Sequence, residues 1–132
     1  MDLNRLRSQT NAPAIDEYRE TIKEIIKSKG ILDSHNQLTK NYLHLAIHGM
    51  RNRGKTEFEI GTLNGNSCSQ EIIEWFTEKL ESISKKIGVN DIFPGNISKS
   101  YHRNGDASSD YKGYGNNFHT IQFLDSTLRF NW

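Results

Sequence analysis

A histidine followed at once by glycine closes the short apolar run "LHLAIHGM" at Leu43 to Met50, and a loop dense in charge and glycine follows. An imidazole at a strand end is well placed for a metal or a substrate, because ligands of open α/β sheets gather where loops splay from the carboxyl ends of strands. Gly49 lets the backbone turn sharply there and keeps the approach open. Taken alone, His48 has an equally ordinary reading as a packing or solvated residue, since histidine is often partly buried. Two further groups invite chemistry. Cys68 lies near the start of a helix expected from Ser69 onward, where the dipole can lower a thiol pKa, but a small packing residue is the simpler reading and no Cys/His motif supports nucleophilic catalysis. The segment from Tyr101 to Tyr114 interleaves Tyr101, Tyr111 and Tyr114 with His102, Arg103 and Lys112. That mixture suits stacking on bases or sugars with contacts to phosphates, and equally suits a loop that covers a pocket.

The elements that must position these residues follow from periodicity. Pro13 to Lys29 places Ile15, Tyr18, Ile22, Ile25 and Ile26 at three- and four-residue spacings, with proline at the start and Gly30 after the end, which predicts an amphipathic helix. Asp33 to Asn41 is polar and reads as a loop. Tyr42 to His48 reads as a strand with both faces partly apolar, as in a central strand, and Glu57 to Thr62 as a second strand. Ser69 to Ile87 puts Ile72, Ile73, Phe76, Leu80, Ile83 and Ile87 on one helical face, with Ser67 and Gln70 at capping-box spacing and Gly88 beyond. Asn90 to Asn117 shows little periodicity and is expected to be a long loop; Phe118 to Leu124 is the last strand. His119 falls on the Ile121 and Phe123 face of that strand, so burial accounts for it more simply than a ligand role. This order predicts one α/β domain over residues 1–132, with a mixed or mostly parallel sheet flanked by helices.

Composition narrows the function classes. The 132 residues carry 34% hydrophobic residues and a net charge of +1, with 17 basic residues interspersed among 16 acidic ones. Nucleic acid is therefore a disfavoured partner. No apolar run reaches the roughly 18 residues of a membrane helix, and the N-terminus lacks the apolar core of a signal peptide, so no membrane association and a cytoplasmic location are expected. The single cysteine cannot form an internal disulfide.

Four segments then resemble, in order, a known family. "MDLNR" at Met1 to Arg5, "LHLAIHGM", "EFEIGTLNGNSC" at Glu57 to Cys68 and "NNFHTIQF" at Asn116 to Phe123 are similar to the N-formylglutamate amidohydrolases, zinc hydrolases related to the zinc carboxypeptidases. The match covers most of the chain but only the C-terminal portion of a usual family domain. It implies a truncated carboxypeptidase-like (phosphorylase/hydrolase-like) fold. It further implies that His48 is a zinc ligand, that Asn4 and Arg5 hold the carboxylate of a small acidic or N-acylated amino acid, and that Arg103 assists with the oxyanion or that carboxylate. A planar guanidinium beside an amide suits a carboxylate well. The implied chemistry is metal-assisted hydrolysis of an amide bond to an acidic amino acid.

Two departures from the family pattern bear on activity. The family's first two zinc ligands precede the "DLNR" segment and have no counterpart here, whereas a catalytic zinc takes three protein ligands plus water. The family also places a carboxylate two positions after its final Gln; here Gln122 is followed by Phe123 and Leu124, and Asp125 stands one residue late, usable only if a bulge re-aims it. On the ligand count, an inactive or incomplete copy, or a non-catalytic binding protein for an acidic ligand, is therefore expected ahead of an active enzyme. An uncovered sheet edge would favour self-association.

Overall fold

The computed structural model describes residues 12–51, 54–91, 101–105 and 110–127, with side chains of the first helix described from residue 16. Asn4 and Arg5 lie outside the described residues.

Helix α1, Ala12–Ser28, forms where the apolar spacing predicts it. Ile22 and Ile26 are its buried ridge, while Ile25, at the margin of the stripe, is exposed. The helix stops because Gly30 adopts φ 66°, and the Lys29 and Gly30 amides close the last turn on the carbonyls of Ile26 and Lys27.

Four strands form one sheet: β1 (Tyr42–Gly49), β2 (Phe58–Gly61), β3 (Ile87–Val89) and β4 (Phe118–Asp125), in the spatial order β1-β4-β2-β3. β1 runs parallel to β4, β4 antiparallel to β2, and β2 parallel to β3. The sheet is thus mixed and mostly parallel, as expected. The central position of the Tyr42 strand is not: β4 is interior and β1 lies at an edge of the described sheet. The burial pattern gives the reason. β4 is buried on both faces from Phe118 through Gln122, whereas Ile47 of β1 is 56% exposed. Apolar residues on both faces of a short run mark a strand, but not its rank in the sheet.

Helix α2, Gln70–Glu81, is shorter than its apolar spacing suggests. Ser82 ends it, Ile83 is 72% exposed, and Ile87 leaves the helix altogether to pair with Phe58 as part of β3. The spacing from Leu80 to Ile83 to Ile87 is helical by coincidence; Ile87 packs into the core from a strand. The N-cap position is held by Ser69, not Ser67, and its hydroxyl accepts from Arg103 rather than from the helix amides. Ser67 is buried, and its hydroxyl donates to the Thr120 carbonyl at 2.8 Å. The expected long loop also holds a helical turn at 101–104.

Two cores lie on opposite faces of the sheet. Ile22, Ile26, Leu38, Tyr114 and Phe118 pack under α1; Phe58, Ile60, Cys68, Leu80 and Ile121 pack under α2. Among the described residues no helix is long and apolar enough to cross a membrane.

Candidate functional site: a polar sheet face around Gln122

Side-chain alternation decides what shares a face with His48. In register, Tyr42, His44, Ala46 and His48 of β1 lie beside Phe118, Thr120, Gln122 and Leu124 of β4, and Glu59 and Gly61 of β2 lie beside Leu124 and Gln122. Near the start of β4 this face is covered by α1: the Tyr18 hydroxyl and His44 Nε2 hydrogen-bond at 2.8 Å. Toward the end of β4 the face turns polar. Gln122 is completely buried, and neither its Oε1 nor its Nε2 has a hydrogen-bond partner among the described residues. Thr120 Oγ1, two residues earlier on the same face, is likewise buried and unpaired. Each unmade bond of a buried polar group costs about 1 to 3 kcal/mol, so three such atoms in one patch are expensive unless something else meets them. Beside them, Glu59 is buried and accepts hydrogen bonds from Thr56 Oγ1 at 2.7 Å and Asn90 Nδ2 at 3.1 Å. Asp91 Oδ1 receives the Thr62 amide at 2.7 Å, fixing the chain where it leaves β2.

His48 sits half-buried at the end of β1, opposite Leu124. The strand position beside it, two residues after Gln122, is therefore an apolar leucine and not a carboxylate. β4 pairs with β1 without interruption from Phe118 to Asp125, so no bulge re-aims Asp125, which lies on the other face and accepts from the Thr127 amide and hydroxyl at 2.7 and 2.6 Å. Among the described residues no three His, Cys, Asp or Glu side chains come together as a metal site. These residues do not by themselves fit a zinc centre.

Arg103 is placed elsewhere. Its Nη2 donates to Ser69 Oγ at 2.9 Å at the start of α2, and its Nη1 is buried with no partner among the described residues. Next to it His119 is held as one tautomer: Nδ1 accepts the Ser69 amide at 3.1 Å, so the proton is on Nε2, which donates to Asn41 Oδ1 at 2.8 Å. Burial, with the nearby Arg103 charge, lowers the His119 pKa. His119 is buried, as its strand face predicts. It lies on the α2 face, five residues before Leu124 along β4, or about 16 Å. The structure thus separates Arg103 from His48 by both face and distance, and gives Arg103 the position of a clamp on the N-terminus of α2. Cys68 is fully buried beside it, and burial pushes its thiol up to about 11, which suits a packing residue.

The tyrosine-rich segment folds on itself. Tyr101 and Tyr111 stack with ring centroids 4.4 Å apart and planes 9° from parallel, and the Arg19 guanidinium lies 3.6 Å over the Tyr101 ring. Both faces of Tyr101 are used inside the protein, so this ring is not a platform for an incoming base.

Gln122 is the site residue that pattern reading passed over, serving only as a landmark in a motif. A signal was present: a glutamine in the middle of a strand buried on both faces has to place its amide in the interior. Comparison of the chain with protein-family models, with curated proteins and with solved structures yields no match.

Proposed function

We propose that this chain is a small-molecule binding domain with an N-formylglutamate amidohydrolase-like scaffold, which takes an acidic or N-acylated amino acid against the polar sheet face at Gln122. The unpaired carboxamide of Gln122 carries this reading. A buried primary amide offers one acceptor and two donors, the complement of an N-acyl amide that has its own carbonyl and N–H. Thr120 Oγ1 adds a hydroxyl that can donate or accept. Asn4 and Arg5 supply the carboxylate clamp in this reading, on the strength of the family resemblance.

Binding is favoured over hydrolysis by the residues beside His48: Leu124 stands where the family resemblance would put a general base, and among the described residues no three His, Cys, Asp or Glu side chains gather as a metal site. Hydrolysis remains the second reading, through metal ligands beyond those described. Self-association through β1, at an edge of the described sheet and exposing Ile47, belongs to the same proposal.

Titration calorimetry with N-formyl-L-glutamate and N-acetyl-L-glutamate tests the binding reading, with Gln122→Leu as the near-isosteric variant. The expected result is affinity at least about tenfold weaker in the variant, together with an unchanged or raised melting temperature, because an unpaired buried amide has been removed. Equal affinity in both proteins sinks it. Metal content per chain, measured beside His48→Ala, tests the second: near-stoichiometric zinc lost in the variant, with release of free amino acid by the wild type, would establish a hydrolase.

A further inference from the structure

Between α1 and the tyrosine-rich segment lie two adjoining cavities, about 300 and 320 Å³, that share Lys23, Tyr111 and Tyr114 as a common wall. Each falls at the lower end of small-ligand pockets, and their three shared residues set them side by side as two lobes. The lobes differ in chemistry. The first adds Asp16, Arg19 and Glu20 of α1 and is closed by Tyr101, so carboxylates and a guanidinium converge. Such a set suits a ring bearing several hydroxyls, which donate to carboxylates and accept from the guanidinium. The second adds His35 and Lys112, with Asp110 as its only carboxylate, so with the shared Lys23 it holds two ammonium groups and an imidazole. Neither lysine forms an ion pair among the described residues. That lobe suits an anion with several acceptor oxygens.

The cleft is built on fixed backbone. Gln37 Nε2 donates to the Gly113 carbonyl at 2.9 Å, the Leu38 amide to the Tyr114 carbonyl at 2.9 Å, and the Tyr114 amide to the His102 carbonyl at 2.6 Å. Asp33 Oδ1 in turn receives the amides of His35 and Gln37 at 2.8 and 2.9 Å, holding the rim that carries His35. The walls of both lobes are thereby preorganised, which reduces what a ligand must spend on ordering.

We infer that this cleft binds a monosaccharide phosphate, its hydroxylated ring in the lobe of Arg19 and Glu20 and its phosphate in the lobe of Lys23 and Lys112. The inference is independent of the Gln122 site, which lies against the sheet. Titration of the full chain, followed by amide chemical shifts of Gly113 and Lys112, tests it with three probes: glucose 6-phosphate, glucose and inorganic phosphate. Expected is saturable binding of the sugar phosphate, at least about tenfold tighter than either part alone, since two lobes are engaged by one ligand. Lys112→Ala, on the surface, lowers that affinity about tenfold and leaves glucose binding unchanged; Glu20→Gln weakens glucose and sugar phosphate alike. Inorganic phosphate binding as tightly as the sugar phosphate overturns the two-lobed reading. So do shifts unaffected by Lys112→Ala, or no saturation by any probe at millimolar concentration.

Discussion

Acidification from pH 7 to pH 4 removes on the order of 3 kcal/mol of folding stability through one side chain, His102. The imidazole is 7% exposed and packed among aromatic rings: stacked on Phe118 at 5.2 Å and Tyr114 at 6.5 Å, with Tyr101 and Tyr18 meeting it edge-on. Burial, then the nearby charges of His44 and Arg19, lower its pKa to about 3. The native state therefore binds the proton less readily than the unfolded chain, whose histidine titrates near 6.5. Above about pH 6.5 both states are neutral and the stability is complete. Between there and pH 3 only the unfolded state takes the proton, so stability falls as pH falls, by up to about 1.4 kcal/mol per pH unit. Urea titrations at pH 7, 5 and 4 measure the slope, and His102→Phe, which keeps a ring in the aromatic nest, should flatten it while changing stability at pH 7 by no more than about 1 kcal/mol. An equally steep slope in the variant would move the acid sensitivity to other groups, His119 first, since burial lowers its pKa as well.

The same histidine shows where sequence reading stopped. The helix at α1, the strands at Tyr42, Glu57 and Phe118 and the start of α2 were legible because each has a period, and His119 was legible as a buried residue because alternation put it on an apolar face. His102 has no such neighbours in sequence. Its burial comes from contacts with α1, β4 and Tyr114, which only the crossing of distant segments creates. The same holds for strand rank. That β4 and not β1 is interior depends on β2 pairing antiparallel with β4, a long-range choice that the residues of β1 do not encode. The end of α2 was missed for a subtler reason: Ile87 obeys the helical period and still belongs to the sheet, so a correct local pattern lost to a tertiary contact. At the candidate site, His48 was visible as a residue at a strand end, whereas Gln122 became visible only once its burial and its missing partners were known.

Gly113→Ala should lower the melting temperature by about 10 °C or more, a loss of about 3 kcal/mol. Gly113 adopts φ 75°, which an alanine enters only at a cost of about 1 to 2 kcal/mol. The larger part is steric. A Cβ on Gly113 would lie 2.6 Å from both the Arg103 carbonyl oxygen and the Gly105 nitrogen, which are backbone atoms and cannot swing aside. Gly105, at φ 80°, faces the same segment from the other side, where its own Cβ would meet the Tyr111 carbonyl oxygen. Two glycines thus let the 101–105 turn and the 111–115 segment cross in direct backbone contact, and that crossing sets the spacing of the Tyr114-to-His102 and Gly115-to-Arg103 hydrogen bonds, 2.6 and 3.1 Å. Gly30→Ala separates the two contributions: Gly30 has φ 66° but nothing within 4 Å of a Cβ, so only the conformational cost of about 1 to 2 kcal/mol applies. Equal melting temperatures for the two variants would mean that the segments do not cross as described. A much larger drop for Gly113→Ala, accompanied by loss of the low His102 pKa in the acid titration, would show that the crossing is what buries His102 and shapes both lobes of the cleft beside it.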